Sequence, residues 1–259
     1  VASASFRIYA ELNDFLPSAR RGQEFSTICA RAATTKHMIE ALGVPHTEVE
    51  LILVNGQSVG FEHRLHDGDR VSVYPHFAAL DIAPLTRVRQ LSLPPDKFIA
   101  DAHLGGLARL LRMAGFDTLY RNDYADREIV DIAATQGRTV LTRDRDLLKQ
   151  RAINDGCYLH AILPELQFRE IVYRLDLARR MRPFSRCLRC NTPLQDVDKQ
   201  AVGERLPPSV RAGQTRFTTC HHCRRIFWPG THWQRMRNFL DESLPGPRQA
   251  TPKRAGRQA

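Results

Sequence analysis

Apolar and polar positions alternate at the start of the chain, where Phe6-Arg-Ile-Tyr-Ala predicts an opening strand. Residues 14–24 are polar and read as a loop. Met38, Ile39 and Leu42 then recur at helical spacing within residues 35–42, and Gly43 is a plausible stop. Glu50-Leu-Ile-Leu-Val-Asn-Gly predicts a strand entering an Asn55-Gly56 turn. Asp67-Gly68 predicts a second turn, and Arg70-Val-Ser-Val-Tyr a last strand. Strand, helix, then strands is the order of a small α+β unit.

The pattern changes at residue 98. Phe98-Ile-Ala is a short apolar strand that closes on Asp101. Leu104, Leu107, Ala108, Leu111 and Ala114 follow at i, i+3, i+4, i+7 spacing, which is a helix face, with Gly115 as its stop. Phe116-Asp-Thr-Leu-Tyr is a second strand. Ile129, Val130, Ile132 and Ala133 predict a second helix closed by Gly137. Arg138-Thr-Val-Leu-Thr142 is a third strand, releasing Arg143-Asp144-Arg145-Asp146. Residues 147–153 predict a short helix and Cys157-Tyr-Leu-His-Ala-Ile a fourth strand. Residues 165–181 predict a long basic helix with Leu166, Ile171, Leu175 and Ala178 on its apolar side. Apolar runs alternating with helical patterns predict an α/β core with a parallel sheet.

Acids at the carboxyl ends of parallel strands face the crevice where open α/β sheets bind ligands. Asp101 and Asp144 both follow apolar strands. Asp126 and Asp146 stand where helix N-caps belong, and each alone reads as a cap. Asp101 also directly precedes a helix. Asp117 and Asp131 read as solvated. Recurrence at consecutive strand ends singles out the set, and a cap can also be a ligand because both roles face the same rim. Gathered carboxylates repel one another unless a divalent cation neutralises them, as in metal-dependent phosphodiester cleavage.

Composition sharpens this. The net charge of +10 is uneven: residues 1–78 carry a balance of −2 and residues 79–259 a balance of +12. The basic excess thus sits with the acid cluster, which suits a polyanionic substrate, although solubility alone also explains it. No run of 18 or more apolar residues occurs, so no membrane span is expected. The first residues lack the basic-then-apolar order of a signal peptide, so a cytoplasmic location is expected. Four of the six cysteines form Cys187-Leu-Arg-Cys190 and Cys220-His-His-Cys223; Cys29 and Cys157 stand alone. Two such pairs predict a closed four-thiolate structural zinc site, with residues 200–213 inserted between its knuckles. A redox dithiol explains one pair but not two. His37, His46, His63, His66 and His76 are scattered and read as surface residues. Residues 78–97, with three prolines, read as a linker, and residues 241–259 as a disordered basic tail.

Leu53-Val-Asn-Gly56 and Leu65-His-Asp-Gly-Asp-Arg-Val-Ser-Val-Tyr-Pro75 resemble the ubiquitin-like sulfur carriers of the ThiS/MoaD type. The resemblance implies a β-grasp fold for residues 1–77. Those carriers end in a Gly-Gly tail; here Pro75 is followed by His76-Phe-Ala-Ala-Leu-Asp. Sulfur transfer is therefore not expected, and a docking role towards a protein partner is.

Asp101-Ala-His-Leu-Gly-Gly-Leu-Ala-Arg-Leu-Leu-Arg-Met-Ala-Gly-Phe-Asp-Thr and Leu141-Thr-Arg-Asp-Arg-Asp-Leu147 resemble the PIN-like ribonuclease domain named after the C-terminal part of the nematode protein Mut-seven. Phe227-Trp-Pro-Gly-Thr-His-Trp233 matches an aromatic segment of the same family. The resemblance implies a PIN-like core over 98–182, a zinc ribbon over 183–240, and RNA hydrolysis with Mg²⁺ or Mn²⁺. It implies Asp101 as the first-strand acid and Asp144 and Asp146 as the late acids. Asp126 is the chosen middle acid, with Asp123 and Glu128 as rivals. Arg109, Arg112, Arg143 and Arg145 are candidate phosphate contacts, or else a solvated face. Trp228 and Trp233 either pack the zinc module or stack on bases. Two other readings stay open: a non-catalytic zinc-ribbon RNA-binding protein, and a toxin-like PIN nuclease, which the fused first domain disfavours.

Overall fold

The structure, a computed structural model, describes residues 2–76, 85–88 and 95–243. Most of the expected linker and tail lies outside the described residues.

The first unit contains β1 (Ser3–Ile8), β2 (Glu24–Ile28), α1 (Thr35–Ala41), β3 (Leu51–Val54), β4 (Gln57–Val59) and β5 (Asp69–Tyr74). Its sheet has the order β2-β1-β5-β3-β4, with β1 parallel to β5 and the other pairs antiparallel. Alternation buries Phe6 and Ile8, which meet Met38 and Ile39 of α1 in one core. Asn55 and Gly56 both take positive φ (50° and 81°), as a two-residue hairpin turn of type I′ requires. The expected loop at 14–24 is short 3₁₀ turns that lead into β2. That edge strand buries no residue fully, so it leaves no apolar signal.

The second unit runs β6 (Lys97–Ala100), α2 (Gly105–Met113), β7 (Asp117–Tyr120), α3 (Asp126–Gln136), β8 (Thr139–Thr142), α4 (Arg145–Leu148), β9 (Gly156–Tyr158) and α5 (Pro164–Arg174). Its four strands are all parallel, in the order β7-β6-β8-β9. Both faces are covered, as parallel sheets require. Phe98 and Ala100 pack with Leu107, Leu111 and Phe168 on one face, and Ile99 and Val140 with Ile129 and Leu147 on the other. The chain leaves β6 towards β7 and then returns to the far side for β8. The strand order therefore reverses between β6 and β8, where Asp101 and Asp144 emerge.

The helix predicted over 165–181 stops at Arg174, because Asp176 takes φ 46° and a 3₁₀ turn, Ala178–Arg180, follows. Leu166 is exposed rather than apolar-facing; Phe168, Ile171 and Val172 form the buried side.

The last unit has β10 (Gln195–Val197), α6 (Lys199–Val202), α7 (Pro208–Gly213), β11 (Phe217–Thr219), β12 (Ile226–Phe227) and α8 (Thr231–Ser243). The segment inserted between its knuckles holds α6 and α7. Helix α8 returns to the core of the second unit, where Leu240 is buried and Phe239 lies 5.7 Å from Phe168. Among the described residues, no helix is long and apolar enough to cross a membrane.

The first two units are joined by buried polar contacts. Glu48, almost fully buried, pairs with Arg174 at 2.5 Å and accepts from the Tyr158 backbone N–H at 2.6 Å. His46 is buried here, not on the surface as expected. Its Nδ1 lies 2.7 Å from Glu40 and its Nε2 2.9 Å from the Ile153 carbonyl.

Candidate functional site

Asp101, Asp126, Asp144 and Asp146 line one cleft of about 700 Å³ at the carboxyl edge of the parallel sheet. They arrive there from three separate stretches. Asp101 ends β6, and its backbone N–H bonds the Leu141 carbonyl of β8 at 3.0 Å. Its Oδ1 accepts from Ala102 N, which caps the 3₁₀ turn that follows. Its Oδ2 accepts from the Thr142 hydroxyl at 2.7 Å, and the Thr142 hydroxyl oxygen in turn accepts from Asp144 N at 2.9 Å. One buried threonine thus ties the two strand-end acids together. Asp144 caps α4 by accepting from Asp146 N at 2.7 Å.

The N-caps are therefore Asp101 and Asp144, not Asp126 and Asp146. Asp126 opens α3 with an exposed carboxylate, behind the Ala125 cap position. Asp146 is exposed and meets Lys149 at 3.0 Å. The rival middle acids are occupied outside this cleft. Asp123 takes two 2.9 Å hydrogen bonds from Arg121, which hold its carboxyl below the usual range. Glu128 accepts from Ala125 N at 3.0 Å and closes the start of α3. The carboxylates share a rim without closing into a tight group: among the described residues, only the cysteines bring three or more such ligand atoms within 4.8 Å of one another.

That group is Cys187, Cys190, Cys220 and Cys223, which could hold a metal ion. The Cys187 and Cys223 sulfurs are 3.7 Å apart. A tetrahedron with metal–sulfur bonds of about 2.3 Å has edges of about 3.8 Å. The two knuckles are alike. The residue after each second cysteine, Asn191 or Arg224, takes positive φ and returns its N–H to the first cysteine's carbonyl, at 2.9 and 2.7 Å. Burial raises the Cys220 thiol, but hydrogen bonds from the Cys223 backbone and the Thr192 hydroxyl outweigh it and bring it to about 6. Burial and the neighbouring sulfurs push Cys190 up to about 12. Thiols coupled in this way cannot all ionise without a cation, so the donor set fits a thiophilic dication.

The Mut7-C RNAse domain family matches residues 96–240, more than half of the chain, and the Mut7-C ubiquitin family matches residues 1–81. The chain belongs to the Mut7-C RNAse domain family. Among solved structures, small archaeal modifier protein 1 from Haloferax volcanii is 16% identical, covering 30% of this chain and 100% of that one at a TM-score of 0.25. A Pyrococcus furiosus protein named for molybdopterin converting factor, subunit 1, is 19% identical, covering 29% of this chain and 98% of that one at a TM-score of 0.24. No curated protein matches.

The arginines of this Mut7-C chain have divided roles. Arg143 is exposed and lines the acid cleft. Arg109 is exposed on α2 and does not line it. Arg112 is not a surface contact. It is buried, and its guanidinium donates to the carbonyls of Thr118, Leu188 and Arg189 at 2.9–3.2 Å, fastening α2 to the first knuckle. Arg145 reaches the cleft but lies against the first domain. It donates to the Phe15 and Asp14 carbonyls at 3.2 and 3.4 Å and stacks over the Phe15 ring at 5.2 Å.

Three further residues line the cleft. Lys149 and His103 flank the acids, and Gly43 of the ubiquitin-like domain forms part of the wall. His103 lies inside the motif that resembles the family, whereas Gly43 reads in sequence only as a helix stop. Asp117 is not solvated. Burial raises its pKa, but Arg138 at 2.7 Å, Asn191 at 2.7 Å and the Arg186 charge outweigh this and hold it below the usual carboxylate range.

Proposed function

We propose that this chain is a metal-dependent ribonuclease whose acid cleft hydrolyses RNA phosphodiester bonds, with a structural zinc ribbon supporting RNA binding. The observation that carries the reading is the convergence of four aspartates from three stretches on one cleft, at the point where strand order reverses. The Mut7-C RNAse domain family supports a nuclease role.

Asp101, Asp126, Asp144 and Asp146 would hold one or two Mg²⁺ or Mn²⁺ ions, since an all-carboxylate donor set suits hard cations. When bound, such ions activate water and stabilise the leaving oxygen. Thr142 orients Asp101 and Asp144 together. Arg143 and Lys149, on the cleft wall, are placed to attract the phosphates flanking the scissile bond. Cys187, Cys190, Cys220 and Cys223 would hold zinc in a closed site, which is structural because no ligand position stays open.

The spread of the four carboxylates favours one alternative, a protein that binds RNA without cleaving it. A single experiment separates the two: cleavage of a labelled single-stranded RNA with Mg²⁺ or Mn²⁺ by wild type and Asp144→Asn, with zinc measured on both. Asparagine still caps a helix, so α4 is retained. Cleavage lost with zinc and RNA binding kept supports the enzyme. Equal cleavage by both refutes the acid site, and binding without cleavage by wild type favours the alternative.

A further inference from the structure

We propose that a second cleft, between the ribbon sheet and α8, binds unpaired bases of single-stranded RNA. This deepens the ribonuclease reading and takes its substrate class from it. The chain has two tryptophans, and both line this one cleft of about 720 Å³. Phe184 and Phe227 line it as well, and the Phe184 ring lies 4.9 Å from that of Trp233, tilted by 35°. All four rings remain partly exposed. Val202, Leu206 and Phe217 are the buried core of the ribbon; Trp228 packs against its edge and Phe184 against the core of the second unit, while Phe227 and Trp233 belong to neither cluster. Phe184 is held at φ 62°, a conformation bulky residues avoid, by a bond from its N–H to the Met113 carbonyl at 2.9 Å. The backbone is thus fixed where it turns an aromatic ring towards the cleft.

The rim selects the occupant. Arg186, Arg216 and Arg237 line the cleft against one acid, Asp196. Arg186 is occupied by Asp117 and by the Gly115 and Asn191 carbonyls. Arg237 is half-exposed beside Asp241, and Arg216 is exposed with no ion pair among the described residues. Flat aromatic faces beside the exposed Arg216 and the half-exposed Arg237 suit a polyanion that carries stackable rings. Duplex RNA keeps its bases stacked inside the helix, so only unpaired bases reach such a platform. An apolar protein segment would fit the rings but give Arg216 no anion.

Because both tryptophans line the cleft, intrinsic fluorescence reports its occupancy directly. The Asp144→Asn chain, chosen so that RNA is not consumed, is titrated with a short oligouridylate, the matching duplex, inorganic polyphosphate and an apolar peptide. Quenching by the single strand alone is expected. Trp233→Ala should weaken binding by about 5- to 150-fold, the range for loss of one stacked base, and Trp233→Tyr should largely restore it. Zinc content and thermal unfolding identify variants that merely misfold. Equal quenching by polyphosphate, quenching by the peptide and not by RNA, or RNA binding by anisotropy without quenching would each overturn the proposal. Cleavage is scored separately on wild type. Quenching without cleavage leaves this site standing and removes the ribonuclease reading; cleavage without quenching does the reverse.

Discussion

The Thr142 hydroxyl donates to Asp101 Oδ2 at 2.7 Å, and Thr142 is fully buried. Its oxygen also accepts from Asp144 N, so a single atom sets the relation between two cleft acids. Thr142→Val keeps the shape and the strand propensity but removes both bonds. On the proposed metal site, loss of such an outer partner of a ligand would cost about 10–100-fold in activity or metal affinity. The stability cost should be near 1 kcal/mol. The check is cleavage rate against Mn²⁺ concentration: a right-shifted curve with little change in Tm is expected.

The cysteine cluster braces the edge of the parallel sheet. Asn191, just after the first knuckle, accepts from the Thr118 backbone N–H at 3.0 Å through its side chain, while Arg112 holds the Leu188 and Arg189 carbonyls. Strand β7 is an edge strand, so Thr118 N has no strand partner on that side. Stripping the proposed zinc with a chelator, or Cys220→Ser, should therefore loosen β7 as well as the ribbon. Native-state hydrogen exchange at Thr118 is the measurement, and faster exchange in the metal-free protein is expected.

Much of this architecture is legible in sequence, because the elements that carry the cleft are those with clean periodicity. Phe98 to Ala100 and Thr139 to Thr142 are continuous apolar runs, as strands buried on both faces must be. What sequence could not show is how polar side chains are used. Arg112 and Arg109 look alike beside the α2 stripe, yet one is buried by a knuckle 76 residues away. Arg145 looks like a phosphate contact, yet its guanidinium is held by the Phe15 and Asp14 carbonyls of the first domain. His46 reads as a surface residue because the Ile153 carbonyl that it meets lies more than a hundred residues on, and the partner of Glu48, Arg174, is as remote. Composition and spacing are local; these contacts are not.

Those long-range contacts predict how the ubiquitin-like domain is held. Glu48 is buried against Arg174, itself largely covered. Removing Glu48 leaves Arg174 with Glu170, at 3.6 Å, as its remaining carboxylate among the described residues, so the cost should approach but not exceed that of a fully broken buried pair, about 3–5 kcal/mol. Glu48→Ala should undock the first domain, exposing the far wall of the acid cleft at Gly43. Replacing both partners by methionine should be far milder, since no buried charge is left alone. Small-angle scattering checks this: a larger radius of gyration for Glu48→Ala and a near-native one for the double variant.

Asp117 supplies a pH test with a definite sign. Its carboxyl lies below the ordinary value of 3.8, because Arg138 and Asn191 bond it and Arg186 stands 3.6 Å away. A carboxyl depressed on folding stabilises the native state fully above its unfolded pKa, and that stabilisation is lost as pH falls through the lower folded value. Thermal unfolding followed downwards from pH 6 should therefore show Tm falling steeply below about pH 4. Asp117→Asn keeps the side-chain shape and leaves Arg138 and Arg186 without their anion. It should lower Tm at pH 6 and flatten the acid slope. A parallel offset with an unchanged slope would assign that acid sensitivity to other carboxylates and leave Asp117 a packing role only.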